Sequence, residues 1–299
     1  MVEKSLAVGL VQSANLDCRS FLKNQRLDLV AAKKAISENI ENGVRSVKAS
    51  AEKNAQFVIF PELFTTGYDM NTLGKYYTDL CETKSGETIS AFQKTARDNG
   101  VYIQVGFPEI REVEGVVYNS VAIIDPDGKL MGTYAKSHLF AGERFFFAKG
   151  SEMPVYESDF GKFAPMICYD IGFPELARIY ALKGSVLFTV STAWCKADAD
   201  IWQNNLIART TDNLCFAAAA NAVSDDPALE LIGNSRFYAP RGHLLKQAAV
   251  GEEEILVSTL DLADVKKARS GCYYFLDRRP ELYKKLTETE CSSYETFGD

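Results

Sequence analysis

Residues 27–63 read LDLVAAKKAISENIENGVRSVKASAEKNAQFVIFPEL, and the fold class follows from them. Leu29, Val30, Ala32, Ile36, Ile40, Val44 and Val47 recur mostly at spacings of three and four, with charged residues between them. That spacing gathers the apolar groups on one stripe, so a long amphipathic helix is expected over Leu27–Asn54. Phe57–Phe60 follows as a short buried strand, stopped by Pro61. Another apolar strand, Leu6–Val11, precedes the helix. Short β-branched runs alternating with longer periodic stretches mark an α/β layered fold.

The same alternation continues along the chain. Ser85–Arg97 reads as a helix capped near Ser85 or Thr88. Val101–Phe107 and Val117–Ile124 read as strands, with a turn at Asp125–Gly128 before a strand at Met131–Tyr134. Apolar alternation is imperfect here, which favours a sheet buried on both faces. Phe163–Cys168, Val186–Ser191 and the helices Pro174–Leu182 and Asp200–Asn213 follow. Cys215–Ala222 is strand-like by position, although its alanines suit a helix equally; as a strand, it could approach a neighbouring layer closely. Ser235–Tyr238, Leu244–Gln247 and Ile255–Leu260 read as antiparallel strands, with a turn at Pro240–Gly242. No linker, repeat or low-complexity segment divides the chain, so 1–299 is expected to be one domain. Its polar, aromatic end, residues 263–299, reads as an arm packed on a partner.

Composition narrows the function. The chain is 46% hydrophobic and 24% charged, ordinary for a soluble protein, with a formal net charge of -7. Phosphate binding needs a positive surface, so a nucleic-acid partner is not expected. Seven scattered cysteines without a CxxC pair indicate neither a zinc–thiolate site nor a redox dithiol. No stretch reads as a signal peptide or a membrane span, and a cytoplasmic location is expected.

Three segments end in reactive side chains where buried strands should stop: FVIFPEL with Glu62, GTYAKSHL with Lys136 and APMICYD with Cys168. Taken singly, each has a plainer explanation. Glu62 could be a salt-bridge partner or a helix N-terminal acid, Lys136 a surface lysine, and Cys168 an inert core thiol. Together they make a nucleophilic site. The lysine pulls the thiol toward thiolate and steadies a developing oxyanion, while the carboxylate collects and returns the proton. Cys195, after Ser-Thr-Ala-Trp, is a rival nucleophile without acidic and basic companions, and at most a pocket wall. His138 and His243 stand too far apart for a zinc hydrolase, and neither supplies a Cys–His pair. No G-x-G-x-x-G or phosphate-loop pattern occurs.

In this order and spacing, FPELFTTGY, YAKSHLF and ICYDIGFPE closely resemble the glutamate, lysine and cysteine motifs of the nitrilase superfamily of carbon–nitrogen hydrolases. The resemblance runs from LAVGLVQ to STLD, most of the chain. It implies a four-layer α-β-β-α sandwich, with Cys168 as nucleophile, Glu62 as general base and Lys136 as oxyanion support. It also implies a second glutamate, Glu143, a Tyr169 backbone amide at the oxyanion, and no metal or organic cofactor. Asn119, Phe147 and Trp194 would support or wall the pocket, and Asp170, Glu175 and Arg178 would form ion-pair scaffolding.

The activity so implied is a thiol amidase that converts a small linear carboxamide to acid and ammonia. The alternatives are N-carbamoyl hydrolysis of a ureide, then nitrile hydrolysis, and, in a different class, a non-catalytic interaction protein. ANAVSDDPALELIGNS, residues 220–235, departs from relatives with Asn-Arg-x-Gly here, which weakens any transfer of carbamoylputrescine or carbamoyl-amino-acid specificity, since that stretch can border the pocket. YYFLDRRPELYKKL, residues 273–286, resembles tails that build homodimers or larger homo-oligomers, with Arg278 and Arg279 pairing across the interface.

Overall fold

The apolar stripe does form a helix, and the order of strands around it sets the sheet. In the computed structural model, which describes residues 5–14, 18–24, 26–224 and 229–288, strand β1 (Ser5–Gln12) leads to helix α1 (Leu29–Glu52) and strand β2 (Phe57–Ile59). Asp28 caps α1 by accepting the Ala31 amide at 3.1 Å. The buried face is Ala32, Ala35, Ile36, Asn39, Ile40, Gly43, Val47 and Ser50, whereas Leu29 and Val30 of the expected stripe are exposed. Helix α2 (Glu87–Asn99) and strand β3 (Tyr102–Ile110) follow. Neither Ser85 nor Thr88 caps α2. Gly86 holds the cap position, and Glu82 reaches in to accept from the Thr88 amide at 2.9 Å and from its hydroxyl.

Strands β4 (Val117–Ile124) and β5 (Leu130–Ala135) complete this run by antiparallel pairing. The second run has strands β6 (Tyr156–Ser158), β7 (Gly161–Ile167), β8 (Leu187–Thr192) and β9 (Phe216–Asn221). Helix α3 (Pro174–Leu182) joins β7 to β8, and helix α4 (Ala199–Asn213) joins β8 to β9. Strands β10 (Arg236–Tyr238), β11 (Leu244–Gln247) and β12 (Glu254–Asp261) precede helix α5 (Ala263–Ser270).

One six-stranded sheet runs β12-β1-β2-β3-β4-β5 and the other β11-β10-β9-β8-β7-β6. Each has a parallel centre, β1-β2-β3 or β7-β8-β9, flanked by antiparallel strands. The halves repeat one topology without a repeat in sequence. Strand β12 is the exception to the antiparallel trio expected near the C-terminus. It leaves β10 and β11 and pairs with β1, Ser5 opposite Asp261 through Gln12 opposite Glu254.

The sheets pack face to face with helices outside, giving four layers. Phe60, Phe64 and Phe92 meet edge to face at 4.6 and 5.2 Å between α2 and the first sheet. All three are buried, and burying each such ring contributes roughly 1.5–3 kcal/mol. On the other side, Leu176, Ala177 and Tyr180 of α3 and Trp202 and Leu206 of α4 cover the second sheet. The alanines of Cys215–Ala222 form strand β9 and let it lie against β1 across the sandwich.

Between the sheets, Gln104 donates to Ser191 Oγ at 2.9 Å and accepts from Thr189 Oγ1 at 2.6 Å. Ser191 Oγ donates to the Phe60 carbonyl at 2.6 Å. These bonds fix the end of β2 against the end of β8, which sets the register of the two motif-bearing turns. After α5 the arm continues to residue 288 over α3, where Arg178 and Arg269 each lie 5.1 Å from the Phe275 ring centre. Arg279 pairs with Glu281 in its own turn.

Candidate active site

Parallel strands carry their following loops at one end, and the motif residues sit there. Glu62 follows β2 in a turn where Leu63 adopts φ 46°. Gly106 on neighbouring β3 makes that turn possible. A Cβ at Gly106 would stand 2.4 Å from the Pro61 carbonyl and 2.7 Å from the Leu63 amide, so only glycine lets the turn lie this close. Lys136 follows β5, and its amide donates to the Asn119 carbonyl at 2.8 Å. Cys168 follows β7 with φ 47°, a left-handed conformation rare for a side-chain-bearing residue, and begins a 3-10 turn to Gly172. Backbone strain of this kind, about 1–3 kcal/mol, persists only where the surroundings impose it.

Asp170 imposes it here. One carboxylate oxygen accepts from the Ile167 amide at 3.0 Å and the Tyr134 hydroxyl at 2.7 Å. The other accepts from the His138 amide at 3.0 Å and faces His138 Nδ1 at 2.8 Å. The imidazole stacks on Phe173 at 3.7 Å. Asp170 thus ties the cysteine turn to the lysine segment. It is not part of an arginine ion pair, contrary to the sequence expectation, and Arg178 instead donates to the Asp212 carbonyl at 2.7 Å.

Lys136 Nζ lies 2.7 Å from Glu62 Oε1 and 2.7 Å from Glu143 Oε1. All three side chains are fully buried. Asn119 Nδ2 donates to Glu62 Oε1 at 2.7 Å, and the Ala193 amide donates to Glu62 Oε2 at 3.1 Å. Glu143 accepts from the Tyr68 hydroxyl at 2.8 Å and the Phe140 amide at 3.0 Å. One ammonium between two carboxylates, with the remaining lone pairs met by neutral donors, is how buried charge is tolerated.

The electrostatics follow from that packing. Burial raises Glu62 above an ordinary carboxyl, with Glu143 adding to the rise, while Lys136 and Asn119 oppose it. Burial alone would lower Lys136, but Glu143, Glu62 and Cys168 hold it well above a free lysine. The Cys168 thiol is pushed far up, first by burial and then by Glu62, with Lys136 and Thr192 pulling the other way. Burial therefore favours the protonated sulfur. Lys136 does pull the thiol toward thiolate, as the sequence reading expected, but burial opposes it more strongly.

Cys168 opens into a cavity of about 330 Å³, in the lower range for small-ligand sites. Tyr169 and Trp194 line it, and so does Cys195, which is a wall as expected. Tyr169 packs edge-on against Phe140 at 5.2 Å. Trp194 is held by Nε1 donating to the Asp198 carbonyl at 2.7 Å, and it packs on Trp202 at 5.5 Å. Phe147 does not line the cavity. Its ring lies on Tyr77 at 4.9 Å and its amide donates to the Glu143 carbonyl at 2.8 Å, so it supports the Glu143 turn from behind.

Leu229 and Leu231, from the described part of the 220–235 segment, line the cavity, and Glu62 faces a smaller adjoining space that shares both leucines and Tyr68. Sequence reasoning missed Tyr68 and the Ala193 amide. Tyr68 closes the quoted FPELFTTGY motif, whereas a backbone donor leaves no residue signature. Among the described residues, no group of three or more His, Cys, Asp or Glu is placed to hold a metal ion. No helix there is long and apolar enough to cross a membrane.

Residues 23–270 match the carbon–nitrogen hydrolase family. A Schizosaccharomyces pombe protein named a probable nitrilase is 37% identical over 256 residues, 84% of this chain and 93% of its own. A Bacillus subtilis protein named 2-oxoglutaramate amidase is 34% identical, covering 83% of this chain and 93% of its own. The carbon–nitrogen hydrolase structure from Helicobacter pylori G27 superposes with a TM-score of 0.83 at 23% identity, over 95% of this chain and 99% of that one. The chain belongs to the carbon–nitrogen hydrolase family, with the fold of the nitrilase superfamily. It is an amidase-type hydrolase, acting on carbon–nitrogen bonds other than peptide bonds.

Proposed function

We propose that this protein is a thiol amidase that hydrolyses a small linear carboxamide to the acid and ammonia through a Cys168 thioester. The observation that carries this is the buried Glu62–Lys136–Glu143 chain beside Cys168, the one thiol among the described residues whose backbone is bent at a strand end. Glu62 takes the thiol proton as sulfur bonds to the carboxamide carbon. The oxyanion forms against Lys136 and the Tyr169 backbone amide, and losing such a donor typically costs about 2.7–4 kcal/mol in the barrier. The carbon–nitrogen bond breaks as Glu62 passes its proton to nitrogen, and ammonia leaves.

Water then gives a proton to Glu62 and its oxygen attacks the thioester. The carbon–sulfur bond breaks and the sulfur recovers its proton. Glu143 keeps Lys136 protonated and aimed, and Asn119 orients Glu62. No step draws on a metal or organic cofactor.

The test is ammonia release from a panel of linear carboxamides. Wild-type turnover with loss of at least about a thousandfold in Cys168→Ala supports the assignment, and an unchanged rate in that variant refutes it. A ureido carbon offers the same trigonal centre and the same ammonia leaving group, so carbon dioxide released with ammonia marks N-carbamoyl hydrolysis instead. Turnover of nitriles alone would reassign the protein as a nitrilase.

The protein is further proposed to be a cytoplasmic homodimer using the 263–299 arm. The exposed Leu276, Leu282 and Leu286 are the apolar surface that supports this. Sedimentation showing a dimer that dissociates on deletion of residues 272–299 is the expected result, and an unchanged mass refutes the arm's role.

A further inference from the structure

One wall of the cavity is furnished by the start of α4. Asp198, Ile201 and Asn205 are spaced by three and four residues, which puts them on one face, and all three line the cavity. Around them the wall is largely apolar, with Phe140, Trp194, Leu229 and Leu231. No lysine or arginine is among the described residues that line it.

Asp198 is half-buried in this largely apolar wall, with no counter-ion among the described residues. It makes no ion pair among the described residues, and its contact is the Cys195 thiol, which donates to Oδ2 at 3.6 Å. Its backbone is tied to the aromatic wall, because its own carbonyl accepts the Trp194 indole N–H at 2.7 Å. Asn205 adds an amide group on the same face.

We propose that the acyl group of the substrate is a short apolar chain carrying an ammonium, or another cationic hydrogen-bond donor, at the end remote from the carboxamide. Asp198 holds that cation, with Asn205 as a neutral partner, and the chain lies along Trp194 and Leu231. The inference rests on the amidase assignment above. Low-dielectric walls strengthen the attraction of a carboxylate for a cation, and they strengthen its repulsion of an anion. Selection therefore works both ways, favouring the cation-ended chain and rejecting a carboxylate-ended one. A substrate such as 2-oxoglutaramate, with a free carboxylate on its chain, would set like charges against each other here.

Three carboxamides of equal length decide it: one ending in an ammonium, one in a methyl group and one in a carboxylate. For the wild type, kcat/KM should fall by about tenfold or more at each step in that order, the lower end of coupling for close charge pairs. In Asp198→Asn the advantage of the ammonium over the methyl should shrink to within about threefold, and the carboxylate substrate should improve. Asp198→Glu should restore the wild-type order.

Hydrolysis of the methyl-ended amide without preference for the ammonium overturns the inference and leaves the amidase assignment standing. So does a preference that survives in Asp198→Asn. Failure of all three amides while other linear carboxamides are hydrolysed overturns the inference alone, and failure of every linear carboxamide overturns both.

Discussion

Replacing Lys136 by methionine keeps the volume of the side chain and removes the charge between Glu62 and Glu143. Both ion pairs, each at 2.7 Å, are lost together, and two buried carboxylates face one another. Removing one partner from a buried ionic group costs about 3–5 kcal/mol, because charge is left uncompensated. The cost depends on pH in a definite direction. Glu62 is already raised by burial, and Lys136 is the foremost influence holding it down, so the substitution raises it further.

A carboxyl raised in the folded state is favourable below its unfolded value of about 4.3 and loses that advantage as pH climbs through the folded value. Every further tenfold gain in the proton affinity of the folded carboxyl corresponds to about 1.36 kcal/mol. Lys136→Met should therefore be mildly destabilised at pH 5 and most destabilised at pH 8. Urea unfolding of both proteins at the two pH values measures this. Equal losses at pH 5 and pH 8, or no loss at pH 8, would refute the charge balance described for the site. Amide hydrolysis at pH 5, where more of the variant stays folded, should still be down about a hundredfold to a thousandfold.

Three further outcomes follow from the same geometry. The acid limb of kcat/KM should lie above the ordinary carboxylate range, since Glu62 must be ionised to accept the thiol proton and burial raises it; a limb at or below about 4.3 contradicts that role. Asp170→Asn should lower stability by about 2–4 kcal/mol and reduce kcat more than it raises KM, because three donors and the His138 ring nitrogen converge on this carboxylate; unchanged unfolding would remove Asp170 from the support of the cysteine turn. Gly106→Ala should push the Glu62 turn away from β3, costing about 1–3 kcal/mol with a fall in kcat at nearly constant KM, as read by urea unfolding and steady-state rates.

Local patterning made α1 legible, because Ile36, Ile40 and Val47 must share a face once the spacing is three and four. It also located Glu62 and Cys168, since each follows an apolar run that can only be a buried strand. Lys136 was legible only through the chemistry that the other two require. Pairing between distant strands has no such local signal. Ile255–Leu260 looks like a third member of a C-terminal antiparallel group, yet it crosses the sandwich to β1, a choice made by packing and not by its own residues. Strand β6 is too short to show a period.

At the site, Asp170 looked like an ion-pair acid because its actual partners leave no nearby trace. One is the backbone amide of Ile167, and the others come from Tyr134 and His138, far upstream on the lysine segment. Phe147 sits beside the motif in sequence but faces Tyr77, because the turn that places Glu143 inward points the following ring into the outer layer.

The most direct measurement is the intact mass of the protein stopped during turnover of a linear carboxamide, followed by peptide mapping. An added acyl mass on Cys168, absent from Cys168→Ala, is the predicted result. Steady turnover with no adduct on Cys168, or an acyl group carried by Cys195, would contradict a thioester at the strained strand end.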